Sequence, residues 1–390
     1  MIPEGWSTER LGDICEIVMG QSPESRHYNR TGNGLPLIQG NADIANRRTI
    51  QRVWTTSAPK RAEAGDVLLT VRAPVGAVGR ASAEVCLGRG VCAVKSNEVV
   101  SDFLFHALVA GEPRWSALEQ GSTFTAANGR DVADFTVCIP EQHSEQQAIA
   151  EALSDADALV ESFDALIAKK RDMKQAAMQH LFSKSLMPNN ENSLIRFGHD
   201  VSMKARIGWQ GLTTAEYLVR GAFRLVTGTD IRGGAINWDT CWYVDKSRYD
   251  QDKNIQLRKD DVLVTKDGTI GKVGFIDSLP CPATLNSGVF VLRPVSDRIQ
   301  ARYLRHLMFS RVFGEFLDRL TAGSTITHLY QKDFETFTVV VPGVEEQIAI
   351  AEVLSDMDAE TNALVAQREK AELVKQGMMQ ELLSGRVRLV

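Results

Sequence analysis

The sequence has few of the features that mark secreted, metal-binding or membrane proteins. No apolar run approaches the ~18 residues that span a bilayer, and the start, MIPEGWSTERLGD, lacks the pattern of a signal peptide. The cysteines are scattered without a CxxC pair, which indicates neither a zinc site nor a disulfide framework. They are Cys15, Cys86, Cys92, Cys138, Cys241 and Cys281. We therefore expect a cytoplasmic protein of two or three domains without a membrane partner.

Signatures of catalysis are missing as well. The segment GTIGKVG (268–274) has glycines like those of a phosphate-binding loop, but it lacks the four-residue gap and the Ser/Thr of that motif. We interpret it and the similar APVGAVG (73–79) as turns between strands, with glycines at positive φ. His106 and His306 lie on predicted helices among apolar neighbours, which favours packing over metal binding. With no GxSxG serine and no glycine-rich cofactor loop, we expect no catalytic residue, no metal site and no bound cofactor.

A surplus of positive charge is absent from the whole chain, whose formal net charge is −5. The charge is nevertheless unevenly distributed. Lys and Arg number 14 against 15 Asp and Glu over residues 1–140, and 20 against 17 over residues 188–341. The same comparison gives 5 against 8 over residues 141–187 and 5 against 9 over residues 342–390. Two long segments are therefore neutral to basic, and the acidity belongs to two short segments.

The two acidic segments carry the same sequence. Residues 145–183 align without a gap to residues 346–384, with identity at 19 of 39 positions. Both copies lack proline and are rich in Ala, Glu, Leu, Lys, Gln and Met, which predicts two long helices, each roughly 58 Å in length. A narrow apolar stripe with a charged remainder favours a two-helix coiled coil. The predicted stripe comprises Ile149, Leu153, Val160, Phe163, Ile167, Leu181, Ile350, Leu354, Met357, Leu364, Met378 and Leu382.

The two long segments are also related, and their matching parts come in the same order. The matching pairs are GDVLLTVRAPVGAVG (65–79) with DDVLVTKDGTIGKVG (260–274), FLFHAL (103–108) with YLRHLM (303–308), and GSTFTAANGRDVADFTVCIP (121–140) with GSTITHLYQKDFETFTVVVP (323–342). Short apolar runs punctuated by glycine predict strands and turns, and residues 101–121 and 301–320 predict helices. We predict an α+β fold of two tandem repeats, each a mainly antiparallel β domain followed by a long helix. The predicted boundaries are 1–140, 141–187, 188–341 and 342–390, with a linker at 187–193.

Cationic side chains are the positive functional signal. In the first half they cluster in predicted loops among Gln, Asn, Thr and Tyr28, and in the second half they lie near Trp238, Trp242 and Tyr243. Arg forms bidentate bonds with guanine and phosphate, and Gln and Asn can read adenine. Any one of these cations could be a solvated surface charge, but two matched sets favour a DNA-recognition face. The predicted set is Arg26, Arg47, Arg48, Arg52, Arg72, Arg80, Lys246, Arg248, Lys253, Arg258, Lys266 and Lys272.

The repeats and the domain openings resemble the specificity subunit of type I DNA restriction–modification systems, over essentially the whole chain. The resemblance rests on the helix starts EQxAIAxxLSDxD (145–157 and 346–358), each shortly after a proline, on the helix ends KQAAMQHLFS (174–183) and KQGMMQELLSGRVRL (375–389), and on the openings PEGWSTERLGD (3–13) and RIGWQGLTTAEY (206–217). The sequence departs from the pattern at 184–198, where KSLMPNNENSLIRFG replaces a GRVRL-type ending.

The resemblance implies a non-catalytic reader of double-stranded DNA. Residues 1–140 and 188–341 would be target-recognition domains, each reading one half of a bipartite, gapped site. The helices of 141–187 and 342–390 would pack antiparallel as a spacer, and their stripe residues would serve the helix pair and the docking of two methyltransferase subunits. Those subunits would bind S-adenosylmethionine and methylate adenine, with restriction and translocase subunits as optional further partners.

Two other classes of function stay open at this point. A coiled-coil scaffold whose domains bind proteins or carbohydrate would have no salt-dependent affinity for DNA, whereas a DNA reader loses affinity steeply as salt rises. A self-sufficient methyltransferase or nuclease is disfavoured, because cofactor and carboxylate motifs are missing together.

Overall fold

The chain is divided between two units. The structure, a computed structural model, describes residues 3–96, 98–120, 126–184, 192–321 and 328–389, with only the backbone at 116–120, 184, 209 and 321. Unit 1 comprises residues 1–165 and 365–390, and unit 2 comprises residues 166–364. The start of the predicted pair 121–140 and 323–342, and most of the predicted linker, lie outside the described residues.

Unit 1 is a β domain with three sheets. Its strands are β1 Trp6–Arg10, β2 Glu16–Met19, β3 Tyr28–Asn29, β4 Leu35–Ile38, β5 Ile44–Ala45, β6 Arg48–Thr49, β7 Trp54–Thr55, β8 Arg61–Ala62, β9 Val67–Thr70, β10 Val78–Arg80, β11 Val85–Leu87, β12 Val91–Lys95 and β13 Thr136–Pro140. The strand orders are β1-β13, β2-β12-β9-β10-β6-β5 and β3-β7-β4-β11-β8. Most pairings are antiparallel, while β6 with β10 and β4 with β11 are parallel. The central strands β9 and β12 are apolar runs with nearly every residue buried, as strands covered on both faces require.

Unit 2 repeats this plan with fewer strands. They are β14 Ser193–Arg196, β15 Val201–Lys204, β16 Phe223–Val226, β17 Ile231–Arg232, β18 Ala235–Ile236, β19 Trp242–Val244, β20 Val262–Thr265, β21 Val273–Phe275, β22 Ala283–Leu285, β23 Val289–Pro294 and β24 Thr338–Val341. They form sheets in the orders β14-β24, β15-β23-β20-β21, β19-β16-β22 and β17-β18. The mixed α+β class with two tandem repeats is thereby confirmed.

Helices cover the sheets and link the domains. They are α1 Leu11–Ile14, α2 Ser101–Gln120, α3 Gly129–Ala133, α4 His143–Lys184, α5 Lys246–Asp250, α6 Ala301–Phe309, α7 Arg311–Thr321, α8 Gln331–Phe334 and α9 Val344–Leu382. The long helices α4 and α9 match the two predicted copies closely. The single helix predicted over 301–320 is wrong, because it is divided at Ser310, whose hydroxyl donates to the carbonyl of Leu307 at 2.6 Å. Among the described residues, no helix is long and apolar enough to cross a membrane.

The glycine segments are turns, as predicted. Gly76 joins β9 to β10 with φ +90°, and Gly271 joins β20 to β21 with φ +79°. A Cβ at Gly76 would lie 2.3 Å from the Trp115 ring, and one at Gly271 would lie 2.3 Å from the Leu317 side chain. Both the backbone conformation and the close approach therefore require glycine.

The core of each unit is built from its own β domain and from one end of each long helix. In unit 1, Ile149 near the start of α4 and Leu382 at the end of α9 join one buried cluster. In unit 2, Ile350 near the start of α9 and Phe182 at the end of α4 do the same. All twelve predicted stripe residues are buried or half-buried. The apolar periodicity revealed the buried face of each helix, but it did not distinguish a helix partner from a sheet.

A buried glutamine fixes the start of each long helix. The Gln146 amide accepts a hydrogen bond from the Val100 backbone N–H at 2.9 Å and donates to the Pro140 carbonyl at 2.8 Å. In unit 2, the Gln347 amide accepts from the Gln300 N–H at 2.9 Å and donates to the Pro342 carbonyl at 2.8 Å. Each glutamine thus ties the end of a strand and the start of a domain helix to the long helix.

We expect Gln146→Ala to lower the free energy of unfolding by about 2–4 kcal/mol, because it leaves a backbone donor and a backbone acceptor without their partner. The neighbouring Gln147 is exposed and is the matched control, since Gln147→Ala should change stability by no more than about 0.5 kcal/mol. Urea titration of the full chain measures both. Equal losses in the two variants would show that the Gln146 bonds contribute little.

His106 and His306 are buried at equivalent positions, as the packing interpretation predicted. Nε2 of His106 lies 3.1 Å from Ser154 Oγ, and Nε2 of His306 lies 3.1 Å from Ser355 Oγ. Burial lowers the pKa of His106 from 6.5 to about 4, against the opposing effect of the Asp157 carboxylate, 3.9 Å from Nδ1. Burial likewise lowers the pKa of His306 from 6.5 to about 4, and Arg305 adds to the shift.

We expect these histidines to destabilise the folded chain as the pH falls. The unfolded histidine binds a proton below about pH 6.5 and the folded one does not, so stability is complete above that pH and decreases towards pH 4. The loss between pH 7 and pH 5 should be about 2 kcal/mol for each histidine. Unfolding measured across this range should show a smaller pH dependence in His106→Gln and His306→Gln than in the native chain. The exposed His180→Gln is the control, and the same flattening in it would exclude the buried histidines as the cause.

Candidate nucleic-acid interface

A two-residue hairpin carries cations at one edge of the unit 1 sheet. Strands β5 and β6 pair antiparallel, and β6 pairs with β10, so that Arg48 is in register with Arg80. The tip residues Asn46 and Arg47 have φ values of +48° and +62°. Two-residue hairpins favour this left-handed conformation, but glycine adopts it far more easily than arginine, whose Cβ costs about 1–2 kcal/mol there. The side chain of Arg47 must therefore supply compensating contacts.

Those contacts are made with helix α2 and strand β10. The Arg47 Nη2 donates to Glu112 Oε2 at 2.9 Å, and Nη1 donates to the Val78 carbonyl at 3.1 Å. Glu112 Oε1 also accepts the Val78 backbone N–H at 2.8 Å. The equivalent hairpin in unit 2, β17–β18, has Gly233 and Gly234 at its tip, with φ values of +57° and +85°. The two hairpins have the same backbone conformation at the tip but carry different side chains there.

The structure divides the six arginines predicted in unit 1 by their partners. Arg26 lies 2.8 Å from Glu24, and Arg52 lies 3.7 Å from Asp43. Arg47 and Arg80 are each held in an internal ion pair, and Arg80 is the more buried of the two. Arg48 and Arg72 are exposed, and neither has a side-chain partner among the described residues. These two are therefore the arginines of the set whose guanidinium groups are available to a ligand.

The six cations predicted in unit 2 divide in the same way. Lys246 pairs with Asp250, and Arg248 pairs with Glu216 at 2.5 Å. The Lys272 ammonium donates to the Gly228 carbonyl at 3.0 Å, and the Lys266 ammonium lies 5.6 Å from the centre of the Phe290 ring. The two that are exposed and without a side-chain partner in the described part of the chain are Lys253 and Arg258.

Arg293 fixes the segment that carries these two free cations. Its guanidinium donates to the carbonyls of Asn254 and Gln256 at 2.7 and 2.6 Å. It also forms a bidentate ion pair with Asp261, at 2.6 and 2.7 Å. Lys253 and Arg258 thus project from a segment whose backbone is held in place, which reduces the entropy lost when a ligand is bound.

Two features of unit 2 could not be derived from sequence: the role of Arg206 and the partners of Trp242. Arg206, with 1% of its surface exposed, donates from Nε to the Leu285 carbonyl at 2.9 Å, and burial lowers its pKa. An arginine in a loop gives no sequence signal of such a role. The second feature is an exposed aromatic edge, where the Trp242 ring is 6.1 Å from that of Tyr217, whose hydroxyl accepts from Asn286. Aromatic and amide groups of this kind can contact thymine methyl groups and base edges.

Comparison with known proteins identifies the family. The sequence model described as "Type I restriction modification DNA specificity domain" matches residues 3–169 and 226–375, which is most of the chain. The chain belongs to this specificity family. One matched region lies in each of the two repeats, so each repeat carries one specificity domain.

Two curated relatives come from Methanocaldococcus jannaschii. The type I restriction enzyme MjaVIII specificity subunit is 23% identical over 100% of this chain and 94% of its own. The putative MjaX specificity subunit is 37% identical over 164 residues, which span 41% of this chain and only 38% of the relative. Among solved structures, the S subunit of a type I restriction–modification system from M. genitalium superposes with a TM-score of 0.65. It covers 97% of this chain and 96% of its own at 17% identity, which establishes a shared fold.

In this specificity chain all twelve cations stay predictions as DNA contacts, and the geometry now ranks them. We expect Arg48→Ala with Arg72→Ala to weaken DNA binding and to reduce the dependence of log K on log salt by about one for each cation. Lys169→Ala with Arg171→Ala removes the same two charges from exposed positions on the acidic helix α4 and is the matched control. Fluorescence anisotropy on duplex DNA over a salt series measures the slopes. An unchanged slope in the double variant would remove both arginines from the interface.

Proposed function

We propose that the chain is the DNA-reading subunit of a type I restriction–modification complex, and that each unit reads one half of a bipartite, gapped site. The observation that carries this proposal is the repeated domain in which corresponding hairpins and turns carry different side chains. The corresponding hairpin residues are Arg47 and Arg48 in one copy and Gly234 and Ala235 in the other. The same backbone with different side chains suits two half-sites of different sequence. Cations on an otherwise acidic chain supply the affinity for phosphate.

The long helices suit the role of a spacer. In unit 1, Lys375 lies 2.5 Å from Asp157 and Arg368 lies 3.1 Å from Asp164. Residue numbers rise along α4 as they fall along α9 in these pairs, which supports antiparallel packing. The same contact recurs in unit 2, where Lys174, the repeat equivalent of Lys375, lies 2.5 Å from an aspartate of α9. A paired stiff helix would fix the number of unread base pairs between the half-sites.

Partner subunits would dock on the exposed apolar side chains of these helices. The predicted stripe residues are buried or half-buried, so they serve the helix pair and the cores. The most exposed apolar side chains of these helices in the described residues are instead Leu159 and Met173 on α4 and Val353, Leu373 and Val374 on α9, with exposures between 46% and 67%. We assign these side chains as the contact sites of two methyltransferase subunits. Those subunits would bind S-adenosylmethionine and methylate adenine. Restriction and translocase subunits would join in complexes that also cleave.

The proposal is tested by mapping N6-methyladenine across the genome of cells that express the chain with its methyltransferase partner, against cells with the methyltransferase alone. We expect a split motif with a fixed gap that appears only when the chain is present. Absence of a new motif, with both proteins produced and associated, would contradict the proposal and favour a scaffold.

A further inference from the structure

Each unit has an arginine packed on a phenylalanine where the second strand of its glycine hairpin, β10 or β21, meets a domain helix. In unit 1, the guanidinium of Arg80 on β10 lies 4.3 Å from the centre of the Phe105 ring on α2. In unit 2, the guanidinium of Arg305 on α6 lies 4.6 Å from the Phe275 ring on β21. The arginine belongs to the strand in one unit and to the helix in the other.

The two contacts occupy the same place in the fold. Arg80 is in register with Val67 across β9–β10, and Phe275 is in register with Val262 across β20–β21, as the alignment of 65–79 with 260–274 requires. On the helices, Phe105 and Arg305 each precede the buried histidine that bonds to a serine of a long helix. The cation and the ring have therefore exchanged positions between the repeats.

The acidic partner has changed sides as well. In unit 1, Arg80 on the strand lies 2.5 Å from Asp102 on the helix. In unit 2, Arg305 on the helix lies 3.3 Å from Asp277, just beyond the strand, and also 3.3 Å from Asp358 on α9. The helix position equivalent to Asp102 is Arg302, so the helix is anionic at this contact in unit 1 and cationic in unit 2. Charge complementarity between strand and helix is kept although both signs are reversed.

The strand residue of each pair also holds the tip of the hairpin. The backbone N–H of Arg80 donates to the Arg47 carbonyl at 2.8 Å, and the backbone N–H of Phe275 donates to the Gly234 carbonyl at 3.0 Å. A contact that holds this strand on the helix therefore also holds the β5–β6 hairpin, which carries Arg48 in unit 1.

We infer that these are one contact with its partners exchanged, and that Arg80 and Arg305 are positioning residues for the hairpins rather than DNA ligands. The phenylalanine ring and the paired carboxylates cover most of each guanidinium group. Only 21% of the Arg80 side chain and 17% of the Arg305 side chain are exposed. A DNA ligand must stay on the side that faces DNA, whereas a contact between strand and helix is served equally by either order. The inference rests on the proposed function only in taking the hairpin of unit 1 as part of the DNA-contacting edge.

The exchange itself is the test, made in the full chain with Arg80→Phe, Phe105→Arg and both together. Arg80→Phe leaves Asp102 unpaired, and Phe105→Arg places two guanidinium groups side by side. Each single variant should lower Tm by roughly 2–8 °C, and the double variant should recover at least half of the loss. Arg305→Phe with Phe275→Arg is the matched exchange in unit 2. If neither exchange recovers stability, or folding where a single variant does not fold, the inference is overturned.

Hydrogen exchange separates positioning from general stability. In the single variants, the amide of position 80 should exchange about tenfold faster or more at a temperature where the chain is folded, while the amides between β1 and β13 stay protected. The double variant should restore protection. Uniform loss of protection across unit 1 would show a structural role without positioning of the hairpin.

The third measurement is the methylated DNA motif, which tests whether Arg80 binds DNA. The double variant Arg80→Phe/Phe105→Arg should yield the motif of the native chain, because no DNA ligand has been removed. A relaxed base in one half of the motif, or a salt slope smaller by about one, would identify Arg80 as a ligand and overturn the inference. If the native chain yields no motif, the proposed function fails, while recovery of Tm and of amide protection still decides whether the contact positions the hairpin.

Discussion

The structure depends first on the buried glutamine at the start of each long helix. Gln146, which is 2% exposed, satisfies one backbone donor and one backbone acceptor, and Gln347, which is 0% exposed, satisfies one donor and the two carbonyls of Pro342 and Arg298. Because the shared acceptor is Pro140 at the end of β13 or Pro342 just after β24, and the donor is a backbone amide at the start of a domain helix, the side-chain amide sets where the long helix leaves the domain. Hydrogen bonds of buried groups cannot be exchanged for water, so this exit is fixed. The helix faces that pack into the core follow from it.

Much of the fold could be predicted from sequence because the chain contains its own comparison. The long-helix sequence and the glycine turn each occur in both repeats. Apolar periodicity predicts the helix, and glycines that can adopt positive φ predict the turn. The break at Ser310 could not be predicted, because the matching helix α2 of the other repeat continues unbroken.

The sequence predicts which residue types the candidate interface contains, but not which of its cations are free of internal partners. Sequence identifies where cations concentrate, but whether one is free depends on partners far along the chain. Arg47 meets Glu112 across 65 residues, and Arg248 meets Glu216 across 32. Arg48, next to Arg47 and of the same type, has no such partner in the described residues. The difference is one of direction on a hairpin, which follows from register and cannot be derived from residue type.

We propose that the two units read two half-sites separately. The most direct measurement is the methylated motif obtained with Arg48 and Arg72 replaced by alanine in one variant, and with Lys253 and Arg258 replaced in another. We expect each variant to relax or lose one half of the motif, a different half in each case, and to keep the other half and the gap. If both variants change the same half, or the gap changes, independent reading by the two units is contradicted.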